Sequence, residues 1–69
     1  MKRDPKWDPK PGDKIKLKRR VGDAYVEVEE LWRDCVCFSE EFGGFSHRNM
    51  SLERWRVYVK NGEVVYAAD

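Results

Sequence analysis

No stretch of this chain approaches the run of about eighteen apolar residues that a membrane-crossing helix needs. Its first residues mix Lys, Arg, Asp and Pro and contain no apolar signal segment. The expected compartment is therefore the cytoplasm, with no membrane contact. An excess of one charge sign is also missing: 14 basic residues stand against 13 acidic ones, a net charge of +1. Such a balance gives no whole-molecule field able to select a polyanion. Histidine occurs once, as His47, and cysteine only as Cys35 and Cys37. Two cysteines two apart in a strand point to the same side and fit disulfide geometry poorly, so both read as reduced.

These shortages bear on chemistry. A nucleophile needs a base within hydrogen-bond reach, and His47 falls on an exposed strand in a chain with none of the familiar catalytic motifs. No catalytic residues and no enzyme are expected. Cys35-Val36-Cys37 with His47 offers three soft metal ligands, but structural zinc sites use cysteine knuckles on turns and a fourth ligand. The cysteines read as small buried hydrophobes, and no metal or cofactor is expected.

What the sequence does hold is bulk and alternation. Sixty-nine residues make one domain near the lower size limit for a self-sufficient core, and three Trp, three Tyr and three Phe supply the volume. Dimerisation is another way for so small a chain to gain stability, so monomer and homodimer both stay open. Met1 to Gly12, with Pro5, Pro9 and Pro11 among charges, reads as a flexible N-terminal arm whose Trp7 has the option of docking. Asp13 to Asp69 reads as a single small β domain.

From Asp13, Ile15, Leu17 and Val21 alternate with Lys14, Lys16, Lys18 and Arg20, and Arg19 breaks the pattern. After Gly22-Asp23, read as a two-residue turn, Val26, Val28 and Trp32 share one phase and Tyr25, Glu27, Glu29 and Leu31 the other. That turn sets Lys18 opposite Glu27, Lys16 opposite Glu29, Arg20 opposite Tyr25 and Leu17 opposite Val28. Glu30 in the apolar phase and Leu31 in the polar one call for a bulge or the end of pairing near there. A third strand runs from Asp34 to Glu40 with Val36 and Phe38 on one face, and Gly43-Gly44 is read as closing a hairpin that sets Ser39 opposite Arg48. Met50 to Trp55 reads as one helical turn capped by Ser51.

Asn61-Gly62, between Trp55-Arg56-Val57-Tyr58-Val59-Lys60 and Glu63-Val64-Val65-Tyr66-Ala67, is a strong hairpin signal. It sets Val59 opposite Val64 and Tyr58 opposite Val65, with Trp55, Val57, Val59, Val64 and Tyr66 facing one side. The competing reading runs a helix from Ser51 through Lys60 with Asn-Gly as its C-cap; the poor helix propensity of Val57, Tyr58 and Val59 favours the hairpin.

The expected fold is all-β: a small antiparallel barrel of five to six short strands with one short helical turn near Ser51 to Trp55. Pro11-Gly12-Asp13-Lys14-Ile15 opening the first strand, and Met50 to Trp55 before a late strand, resemble small SH3-like barrels, including uncharacterised bacterial and prophage-encoded ones. The resemblance spans Pro11 to Tyr66. No acidic, aromatic-lined RT loop is present, so a groove for Pro-rich peptides is not carried over.

Two binding readings follow. On the outer face of the last hairpin, Arg56, Tyr58 and Val65 form an apolar and aromatic centre with a charged rim, suited to a protein partner of unknown identity. The alternative is sequence-tolerant nucleic-acid binding through the basic strand face Lys14 to Arg20, with Lys16, Lys18, Arg20 and Tyr25 as contacts. Glu27 and Glu29 beside those lysines weigh against it, because carboxylates repel the phosphate backbone. The expected function is a non-catalytic binding or adaptor module working through protein contact.

Overall fold

A computed structural model describes residues 3–68. Among the described residues, five strands, β1 (Lys14–Arg19), β2 (Gly22–Trp32), β3 (Cys35–Glu41), β4 (Phe45–Ser51) and β5 (Glu63–Tyr66), form one antiparallel sheet, and a single helix, α1 (Leu52–Tyr58), precedes the last strand. The strand order is β4-β3-β2-β1-β5, with β4 and β5 as open edges. The sheet is thus not closed into the expected barrel. Ile15, Leu17, Ala24, Val26, Val28, Val36 and Phe38 give it one apolar face, which Trp55 and Val59 cover. This inner face follows the period-two pattern of the sequence.

The first two registers depart from expectation in different ways. Lys18 faces Asp23 rather than Glu27, and Leu17 faces Ala24 rather than Val28, a slip of four residues. The turn is Arg20-Val21, which leaves Val21 exposed, and Gly22 follows it at φ 147°. An even slip leaves every side chain on its face, so the core survives while the expected charge pairs do not. Between β3 and β4 the slip is one residue: Phe42-Gly43-Gly44 form the loop, with Gly43 at φ 70°, and Arg48 faces Phe38 instead of Ser39. An odd slip exchanges faces. Arg48 goes to the inner side, and His47 faces Ser39 on the outer one. The bulge near Glu30 is present; beyond it Leu31 packs on the core and Trp32 is exposed.

The final hairpin does not form. Trp55 to Tyr58 are helical, Ser51 caps the helix by accepting from the Arg54 N–H, and Val59 ends it. A strand would have put Val57 inside, yet Val57 is 73% exposed while Trp55 and Val59, four apart, are fully buried. Packing of the helical stripe Leu52, Trp55, Tyr58 and Val59 on the core, with the Trp55 and Tyr58 rings against Phe38, outweighs the local propensities of three β-favouring residues. Asn61-Gly62 still turns the chain, but β5 pairs with β1, placing Val64 beside Ile15 and Glu63 beside Lys16. Gly62 is needed for close approach: a Cβ there would sit 2.6 Å from Ile15 Cγ2.

The segment expected as an arm is described from Arg3 onward, and it lies against the domain. Pro5 and Pro9 are buried, and the Pro5 carbonyl accepts from the Trp55 indole N–H at 3.2 Å. Lys6 reaches the Lys60 and Gly62 carbonyls, and Arg56 donates to the Trp7 carbonyl while lying 3.8 Å from the Trp7 ring centroid. The fully buried carboxylate of Asp13 ties both ends together: it accepts from Arg3 at 2.5 and 2.8 Å, from the Lys10 N–H and from the Ala68 N–H. Burial alone would raise its pKa; these four donors and the Arg3 charge outweigh that and hold it below the ordinary value.

Candidate functional site

Alternation leaves the outer face of the sheet to Lys14, Lys16, Tyr25, Glu27, Ser39, Glu41, Phe45 and His47. Cross-strand pairing sets Glu63, Lys16, Tyr25, Glu41 and Phe45 in a single row across all five strands. Tyr25, Phe45 and Val65, which are 46%, 69% and 52% exposed, line one groove of about 390 Å³ with Ser39 buried beneath them. Lys14 and Glu27 flank it, 3.9 Å apart, and Glu41 closes the side next to Tyr25. His47 meets Glu29 at 3.0 Å farther along the same face.

The inner side carries a polar cluster where helix and sheet meet. The Tyr58 hydroxyl donates to Glu40 and accepts from Arg19 at 2.6 Å and Arg48 at 3.3 Å. Both guanidinium groups also lie over the Tyr58 ring, 5.5 and 5.4 Å from its centroid. Burial pushes the Tyr58 pKa up, and the bond to Glu40 adds to this against the opposing effect of Arg19. Tyr58 therefore stays a neutral donor at physiological pH. Arg19 and Glu40 each sit in the apolar phase of their own strand, and the Arg19 misfit was visible in the sequence. Their pairing was not, because it depends on the β1–β2 and β2–β3 registers together and on Tyr58 from α1.

The expected protein-binding trio is dispersed. Arg56 serves Trp7, Tyr58 serves the Glu40 cluster, and only Val65 faces the outer groove. Tyr58 cannot stand opposite Val65, because it lies on a helix and β5 pairs with β1. Among the alternative set, Lys16 and Tyr25 are direct cross-strand neighbours, Lys18 faces Asp23, and Arg20 is in the turn. Phe45 and Ser39 were missed. Phe45 stood in the expected hairpin but with the face assignment reversed by one residue.

Cys35 and Cys37 are free thiols, half-buried on β3. Desolvation, with neighbouring Cys35, Glu30 and Glu29, pushes the Cys37 thiol above its ordinary value. Among the described residues, no group of three His, Cys, Asp or Glu side chains gathers as a metal site, and no helix is long and apolar enough to cross a membrane. Comparison with known proteins finds no matching family model, no matching curated protein and no matching solved structure.

Proposed function

We propose that this chain is a non-catalytic binding module acting through protein contact, and that the groove of Tyr25, Phe45 and Val65 is its contact surface. The observation that carries this reading is their convergence: strands β2, β4 and β5, which do not pair with one another, bring exposed apolar side chains to one place. Rimmed by both charge signs, such a patch has the composition of a protein interface. The SH3-like resemblance draws on the four-strand antiparallel meander β1 to β4, on β5 returning to pair with β1 and on the helical segment before it, in a sheet that stays open.

Nucleic-acid binding is the second reading, favoured by the adjacency of Lys16 and Tyr25. Glu63 on one side of that pair and Glu41 on the other put a carboxylate at each end of any phosphate track. This ranks protein first. The test compares affinity capture by the native chain with capture by a Tyr25→Ser, Phe45→Ser variant, followed by a titration with a short single-stranded oligonucleotide at low and moderate salt. Loss of a defined protein in the variant supports the proposal. Salt-sensitive shifts at Lys16, Lys18, Arg20 and Tyr25 would overturn it in favour of nucleic acid.

A further inference from the structure

A second surface, which shares only Phe45 with the outer groove, lies where β4 meets α1. Strand β4 is an edge, and all seven of its residues pair with β3 without a register shift. Natural edge strands are commonly guarded by Lys, Pro or a bulge. Phe-Ser-His-Arg-Asn-Met-Ser contains none of these, and its one charged guard, the inward-facing Arg48, turns away only a strand that brings no carboxylate to it.

The phase of its hydrogen bonding is fixed at both ends. Leu52 N–H donates to the Asp34 carbonyl at 2.6 Å, and Phe42 N–H donates to the Gly44 carbonyl at 3.0 Å. Antiparallel ladders alternate, so Ser46, Arg48 and Met50 bond to β3, and the backbone groups of Phe45, His47, Asn49 and Ser51 point to the open edge.

Beside this edge, Met50, Val57 and Tyr58 floor a groove of about 380 Å³ bordered by Arg48, Arg54 and Glu53. Arg48 and Arg19 share the one carboxylate of Glu40. Each guanidinium has five N–H donors, so most of the Arg48 fork remains for another acceptor. Arg54 makes no ion pair among the described residues, which leaves the groove basic.

We propose that β4 accepts an extended segment of a partner protein by strand addition, and that this segment carries a carboxylate and an apolar side chain two residues apart on the face toward α1. Backbone pairing supplies affinity in this mode, and the alternate side chains supply selectivity. The apolar side chain rests on Met50 and Val57, and the carboxylate meets Arg48 and Arg54. A second copy of β4 is a poor occupant: Arg48 is its middle residue, so antiparallel self-pairing over the full strand sets Arg48 against Arg48.

The probe is the capped peptide Thr-Glu-Thr-Leu-Thr-Glu-Thr, titrated into the full chain and followed by amide chemical shifts and hydrogen exchange. Saturable shifts at Arg48, Met50 and Val57 are expected, with slowed exchange of the His47 and Asn49 amides. Arg48→Gln weakens binding by about tenfold, as loss of a charge-assisted hydrogen bond does. Asn49→Pro removes an N–H that the fold does not use and abolishes binding; if that variant fails to fold, Arg48→Gln still decides. The same peptide with Gln in place of Glu binds weakly. Absence of saturable shifts, equal binding of the Gln peptide, or self-association of the chain through β4 would overturn the proposal. The outer groove is read at Tyr25 and Val65, which lie off β4, so failure of this proposal and failure of the outer-groove reading stay distinguishable.

Discussion

The indole N–H of Trp55 donates to the carbonyl of Pro5, 3.2 Å away and 50 residues earlier in the chain. Both residues are buried, so this bond joins the helix to the N-terminal segment where water cannot replace it. Trp55→Phe keeps an aromatic ring against Phe38 but leaves the Pro5 carbonyl without its donor. The expected loss is about 1–3 kcal/mol, the cost of an unsatisfied buried polar group, measured by urea unfolding.

Asp13 makes stability depend on pH. Its folded pKa lies below the ordinary 3.8, so the stabilisation is complete above the unfolded value and is lost as pH falls through the folded one. Asp13→Asn is expected to cost about 3 kcal/mol at neutral pH by breaking a buried pair with Arg3. The gap between native and variant unfolding curves narrows as pH drops below that of an ordinary carboxylate. A gap that stays constant down to strongly acid pH would contradict the assignment.

Two glycines separate close approach from open space. A Cβ on Gly62 meets Ile15 Cγ2 at 2.6 Å and Leu17 Cδ2 at 2.8 Å, whereas one on Gly44 meets nothing within 4 Å. Gly62→Ala is expected to destabilise by about 1–3 kcal/mol through overpacking. Gly44→Ala is expected to be neutral or to stabilise by up to about 1 kcal/mol, by restricting the unfolded chain. Thermal unfolding of the two variants side by side checks both.

The raised Cys37 pKa lowers its thiolate fraction at any given pH. Alkylation by iodoacetamide at pH 8 is accordingly slower at Cys37 in the folded chain than in the urea-unfolded chain. Peptide mass mapping after timed quenching measures the two rates.

Much of the inner face was legible because burial on one side of a sheet imposes period two: Ile15, Leu17, Val26, Val28, Val36 and Phe38 are where alternation puts them. Ser51 as a cap was also legible, since its side chain and the following turn are local. What local pattern missed depends on distant partners. Val57, Tyr58 and Val59 favour a strand by themselves, and contacts with distant residues, among them Phe38 and the buried Pro5 carbonyl against Trp55, make the helix the better choice. The candidate surfaces suffered most, because the one-residue difference at Phe42-Gly43-Gly44 decides whether Arg48 or His47 faces Tyr58. Neither the sheet's open edges nor the Phe45 groove follows from any single stretch.

Protein contact through the outer groove is read by a photo-crosslinking residue placed at position 45 of the intact chain in the cells that encode it, with the same residue at position 21, which is even more exposed, as the control. The expected result is a discrete protein adduct from position 45, absent from position 21 and lost when Tyr25 is changed to Ser. Adducts of equal yield from both positions, or nucleic acid as the species captured at position 45, would contradict it.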